Sequence, residues 1–232
     1  MREYSIDLRR YQKLIVGEGE SDRNFFAEFC TVNGMESFEF GFAGVLNENQ
    51  RPSGFDVFDQ FLHSVTFLPG FRDVKDLILV CDCKENANTT LRDLRKKIKK
   101  ANAALGRKLY TETPDANVLA MEGTPRLHVL MLPMGGIGGL ESVCLTVATA
   151  THDKGDEIAR WVDNFAEAAC VKWPTERRDK LRLQAFLSAS WPKKPSLHFS
   201  QLFDITRHHP IVPLDSPAFD DIRDYLKSVA AL

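Results

Sequence analysis

Apolar residues along this chain switch repeatedly between strand-like runs and helical spacing. Gln12 to Gly17 holds the apolar run KLIV closed by a glycine, which predicts a first strand. Ser21 can cap a helix from Asp22 to about Val32, with Phe25, Phe26 and Phe29 on one face. Ser37 to Phe42 alternates as a second strand, and Phe55, Phe58, Phe61 and Leu62 then recur at helical spacing. The solid apolar run of DLILVCDCKEN, ending at Asp82, has the look of a central parallel strand buried on both faces. Residues 88 to 105 form a basic amphipathic helix with Leu91, Leu94, Ile98 and Ala101 inward, stopped by Gly106. RLHVLMLP predicts a fourth strand, running into MGGIGG and a helix that begins near Leu140. Asp153 to Ser190 is helical with a turn near Trp173 and Pro174. Pro192, Pro195, Pro210, Pro213 and Pro217 then predict loops joining short elements.

Strands alternating with helices imply right-handed βαβ units, hence an α/β fold with a mostly parallel central sheet flanked by helices. The expected division is an α/β domain over residues 1–150 and a helical C-terminal extension over 151–232 packed on the same core. Ligands of such sheets bind at the carboxyl edge of the strands. Charged residues at 27% and hydrophobic residues at 44% exclude a disordered or fibrous chain. A net charge of -2 exerts no global pull on nucleic acid or anionic membrane, so any such binding needs a local patch. The five cysteines are odd in number and form no C-x-x-C pair, which disfavours a disulfide framework or zinc knuckle and predicts reduced, buried thiols. No stretch approaches ~18 uninterrupted apolar residues and the first residues lack an apolar signal core, so the expectation is a cytoplasmic protein that does not engage a membrane.

Acidic residues fall where that carboxyl edge should lie. Glu18 follows the first strand, Asp82 closes the central one, Glu141 opens the helix after the fourth, and Asp22 sits one turn beyond Glu18 near a helix start. Carboxylates crowded together repel and raise one another's pKa unless a cation sits among them, and hard oxygen ligands suit Mg2+ or Mn2+.

This pattern resembles the TOPRIM fold of topoisomerases, bacterial-type primases and nucleases of the overcoming-lysogenization-defect type. EGESD supplies the glutamate-glycine pair and the added aspartate (Glu18, Gly19, Asp22), LILVCDCKEN supplies Asp82 at the first D-x-D position, and GGLESVCL is similar to the G-x-L-E segment of an uncharacterised TOPRIM-like family. The resemblance covers roughly residues 12 to 150. It implies a metal set of Glu18, Asp22, Asp82 and Glu141, with Glu18 and Asp82 also catalytic, and a nuclease or other phosphodiester-acting enzyme. It also raises a separate ATPase or other protein as partner, since no ATPase motif occurs in this chain. Lys84 departs from the pattern, standing where the second D-x-D aspartate belongs. Two roles stay open for it: contact with a phosphate in a working enzyme, or the mark of a catalytically degenerate module that binds nucleic acid or a partner protein. Residues two apart on an extended segment face one side, so Lys84 is expected beside Asp82, and Glu85 is a stand-in acid.

Other chemistry is less well supported. GEGESD misses the third glycine of a dinucleotide fingerprint and places Glu18 toward a pyrophosphate. MGGIGG lacks the G-K-[ST] of a Walker loop, although Gly135 to Gly139 offer backbone N–H groups for a small anion or nucleotide. Arg92, Arg95, Lys96, Lys97, Lys99 and Lys100 make the densest positive run, readable as a solvated face or as a nucleic-acid-binding phosphate track. The six histidines show no ligand spacing.

Overall fold

A computed structural model of the chain describes residues 6–46, 54–84, 86–170, 173–191 and 211–232. Pro192, Pro195, Pro210, Glu85, His198, His208 and His209 lie outside the described residues. Among those described, four strands form one all-parallel sheet in the order β2-β1-β3-β4. They are β1 (Lys13–Gly17), β2 (Phe38–Phe42), β3 (Asp76–Asp82) and β4 (Arg126–Leu132). Every residue of β1 and β3 is buried, as two covered faces require.

The period of two along each strand divides the core. Ile15, Ile78, Val80, Leu130 and Leu132 face one apolar layer. On it lie α1 (Glu20–Val32), α4 (Leu140–Thr151), α5 (Gly155–Cys170), α6 (Thr175–Ser190) and α7 (Asp220–Ala231). Leu14, Val16, Leu77, Leu79, Val129 and Met131 face the other layer, with α2 (Phe58–Ser64) and α3 (Ala87–Leu105). Phe25, Phe29 and Phe219 pack ring against ring, tying α1 to the turn before α7.

Two local readings need correction. The first helix begins at Glu20 with Gly19 as its N-cap, not at Asp22 behind Ser21, because the Asp22 carboxylate reaches back to accept the Gly19 N–H at 2.8 Å. The helical spacing at Phe55 resolves into a 3-10 turn, Phe55–Val57, before α2. Past the last proline the chain forms a twelve-residue helix, α7, burying Ile222, Tyr225, Leu226 and Val229 at i, i+3, i+4, i+7. Its last carbonyls, on Val229 and Ala230, accept hydrogen bonds from the buried Lys13 ammonium at the start of β1. Burial lowers the pKa of that lysine.

Candidate functional site

The sheet order places β2 on one side of β1 and β3 on the other, so the chain's winding reverses between β1 and β3 and opens a crevice at their carboxyl ends. Glu18 and Asp82 stand there. The Asp82 backbone N–H donates to Glu18 Oε1 at 3.1 Å, and Asp82 Oδ1 accepts from the Leu140 N–H at 3.1 Å. This second bond aims the N-terminus of α4 at the Asp82 carboxylate, and Glu141 follows in the same first turn. Asp22, in the first turn of α1, completes the group.

The four carboxylates lie close enough to act on one another's titration. Burial, followed by the charges of Glu18, Asp22 and Glu141, pushes Asp82 well above its ordinary carboxyl range. Burial, helped by Glu141 and opposed by the Gly19 N–H, pushes Asp22 up to about 6. Their field reaches the buried thiols of Cys81 and Cys144, whose pKa values rise first through burial and then through the acids, leaving them inert as nucleophiles. Cys30 and Cys83 are also buried and free.

Gly17, Gly138 and Gly139 are explained by space. A Cβ on Gly17 would lie 2.3 Å from the Asp22 Cβ, and one on Gly139 would lie 2.5 Å from the Asp82 carboxylate. Gly138, at φ +118, would place its Cβ 2.2 Å from Ser142 Oγ. Gly17 and Gly139 thus admit the acids Asp22 and Asp82 at close quarters. The anion-binding reading of Gly135 to Gly139 is weakened: the N–H groups of Gly136, Gly138 and Gly139 donate to Pro133 O, Lys84 O and Ser142 Oγ, and that of the following Leu140 to Asp82 Oδ1.

Among the described residues, no three His, Cys, Asp or Glu side chains are arranged to hold a metal ion. Asp22, Asp82 and Glu18 instead each accept a backbone N–H, from Gly19, Leu140 and Asp82 respectively. Each such bond favours the charged form of its carboxylate. The donor chemistry, four carboxylates at one sheet edge, fits a hard divalent ion, and closure around one requires side-chain rotation.

Lys84 does not join the acids. It lies beyond the end of β3 at φ 54, and its ammonium sits 4.9 Å from the centre of the Phe55 ring, on the α2 and α3 side. The expectation that it shares a side with Asp82 fails because the left-handed turn breaks the alternation that holds only in extended backbone. Two mutual hydrogen bonds between Lys84 and Gly138 hold the turn. The basic run on α3 is largely matched by acids: Arg92 and Lys96 by Asp93, Arg95 by Asp115, Lys97 by Asp56 and Lys100 by Asp59. A continuous phosphate track is correspondingly weakened.

Sequence reasoning missed Ser142, Asp179 and Lys180. Ser142 Oγ donates to Asp179 Oδ2 at 2.6 Å and accepts the Gly139 N–H at 3.2 Å, bracing the loop against Asp82. Lys180 lies 3.8 Å from Glu141 and lowers the pKa of Asp82 and Asp22 against the larger effects raising them. Both α6 residues sit in a charged run, TERRDKLRL, that carries no motif.

A family model described as a protein of unknown function, DUF3226, matches residues 11–231. The chain belongs to that family. The DUF3226 match takes in all four acids and runs through α7, so both core layers belong to the family unit. The sequence matches no curated protein and no solved structure. No helix among the described residues of this DUF3226 chain is long and apolar enough to cross a membrane.

A pH dependence follows from the acids. Asp22 and Asp82 have folded pKa values raised above the unfolded ones, so the folded state holds their protons more tightly. Their contribution is most favourable below about 4 and is lost as pH rises through the raised folded values, about 6 for Asp22. In EDTA, thermal melting at pH 5.5 should therefore exceed that at pH 7.5 by about 2–6 °C. A melting point that is unchanged or lower at pH 5.5 would contradict the crowding of these carboxylates.

Proposed function

We propose that this protein binds one or two Mg2+ or Mn2+ ions through Glu18, Asp22, Asp82 and Glu141 and acts on phosphodiesters as a nuclease. The observation that carries this reading is the gathering of four carboxylates at the reversal point of the sheet, with Asp22 raised to about 6 and Asp82 well above its usual range. Such a cluster is costly without a cation. A bound divalent ion would polarise a phosphate and offset its developing charge. In this reading Asp82 and Glu141 hold the ion from the end of β3 and the start of α4. Asp22 is a further ligand, and Glu18 is a ligand or the base that takes a proton from the attacking water. Gly17 and Gly139 keep the carboxylates of Asp22 and Asp82 close to the strand ends.

A second reading is favoured by one observation: the lysine at the second D-x-D position is turned away toward Phe55. In it the chain is a catalytically degenerate module that binds nucleic acid or a partner protein. The proposed substrate is nucleic acid, the proposed further partner a separate ATPase or other protein, and the proposed compartment the cytoplasm.

Melting curves with and without Mn2+ or Mg2+ test the metal site. Saturation near 100 times the dissociation constant stabilises by about 2.7 kcal/mol, a rise of about 5–10 °C for a chain of this size. Asp82→Asn keeps an acceptor for the Leu140 N–H and should lose that rise. An equal rise in both proteins removes Asp82 from the site. Metal-dependent cleavage of DNA or RNA that Asp82→Asn abolishes supports the nuclease, and a metal response without cleavage selects the non-catalytic module.

A further inference from the structure

Beside the acidic crevice, on the α2 and α3 side of the sheet, lies a cavity of about 760 Å3 that the four carboxylates do not line. Its size falls within the range of ~300–1,000 Å3 usual for small-ligand sites. The Phe55 ring forms part of its wall, with Lys84 Nζ 4.9 Å and Lys97 Nζ 5.3 Å from the ring centre. Asn86 caps α3 at the same wall by accepting the Thr89 N–H. Two aspartates also line the cavity, but Asp93 is matched by Lys96 at 2.8 Å and Asp56 by Lys97 at 3.6 Å. Lys84 has no carboxylate within salt-bridge distance among the described residues.

The cavity is mechanically joined to the crevice. The Gly54 N–H, next to Phe55, donates to the Glu18 carbonyl at 2.9 Å, and Lys84 is two residues past Asp82 and bonded to Gly138. A chain whose phosphodiester lies at the acids would have its neighbouring nucleotide at this cavity.

We propose that the cavity takes one unpaired nucleotide of a single-stranded nucleic acid, its base against Phe55 and its phosphate on Lys84, so that the protein selects single strands over duplex. This rests on the nucleic-acid reading above. A base held in a duplex has both faces stacked on its neighbours and cannot lie against Phe55, whereas an unpaired base can. Because the other cations of α3, Lys99 apart, are matched by acids, affinity comes from one stack and one or two phosphates. The salt dependence should be shallow, with a slope of about -0.7 to -1.4 in log K against log salt.

The test is fluorescence anisotropy of a labelled 12-mer oligodeoxynucleotide in EDTA, single-stranded and as a blunt duplex, which makes it independent of metal. The single strand should bind about tenfold tighter or more than the duplex. Phe55→Leu, which keeps apolar volume against the core, should lower that affinity about tenfold, while Phe55→Trp should retain it. If Phe55→Leu melts early, Lys84→Gln leaves the ring in place and should also weaken the single strand. Equal binding of the two forms, or strand binding unaffected by Phe55→Leu and Lys84→Gln, overturns the proposal. Adenosine monophosphate competing as well as the oligonucleotide overturns it in favour of a free-nucleotide site. A metal-dependent melting rise that persists through any of these failures leaves the acidic site standing, so the two readings fail separately.

Discussion

Asp76→Ala should destabilise the protein by about 3–5 kcal/mol and lower its melting point by about 6–20 °C. Asp76 opens β3 with its side chain fully buried, and it takes two hydrogen bonds from Arg126, at 2.7 and 2.9 Å, and one contact with His128 Nε2 at 3.0 Å. The Ala120 N–H donates to His128 Nδ1, so Nε2 carries the ring proton and donates it to Asp76. Burial pushes the Asp76 carboxyl up, but the bonds from His128 and Arg126 outweigh it and hold the group below its ordinary value. Its contribution is therefore present above the unfolded carboxylate pKa and lost as pH falls through the lower folded one, opposite in sign to Asp22 and Asp82. Removing the carboxylate leaves a buried imidazole and a partly exposed guanidinium without their acceptor. Asp76→Asn should recover part of the loss. Because Asp76 sits at the amino end of β3, about 20 Å along the strand from Asp82, the metal-dependent rise in melting point should survive Asp76→Asn. A melting point within 2 °C of wild type in Asp76→Ala would show that the cluster contributes little.

Substituting alanine at Gly139 should abolish the metal response. The backbone there, at φ -152, suits any residue, so the penalty is purely the added Cβ meeting the Asp82 carboxylate at 2.5 Å. Gly17→Ala places its Cβ 2.3 Å from the Asp22 Cβ, an atom close to backbone that cannot swing aside, and should cost about 1–3 kcal/mol by overpacking. Gly19→Ala is the control: nothing lies within 4 Å of its Cβ, and it should remain within about 1 kcal/mol of wild type with its metal response intact. A full metal response in Gly139→Ala would refute the close seating of Asp82.

The sheet was legible because its strands are short apolar runs closed by glycine or acid, and the helices because their apolar spacing is regular. β1, β3 and β4 fall within a residue or two of their expected bounds. The acids were legible for the same reason: a residue at a strand's carboxyl end is placed by the strand. Their shared environment depends on strand order, which no local pattern carries. Lys84 was misplaced because a single positive φ reverses a side chain, and a lysine gives no hint of such a turn. Phe55 looked like core, and its approach by two lysines arises from separate segments that only the fold brings together. Helix α7 falls in the expected helical extension, but the prolines before it left its bounds unassigned, although Ile222, Tyr225, Leu226 and Val229 have plain helical spacing. Asp179 and Lys180 were illegible in principle, since α6 carries charges of both signs and only its docking beside α4 selects these two.

The bonds from Lys13 to the carbonyls of Val229 and Ala230 bear on how the protein is made. They join positions 216 and 217 residues apart, and the lysine belongs to the central pair of strands. During synthesis β1 emerges long before the helix that receives its ammonium. Until residues 229 and 230 leave the ribosome, that charge lacks these two acceptors and the layer above β1 is open on the α7 side. A ribosome stalled within α6 would therefore hold a nascent chain whose first strand is still incompletely covered.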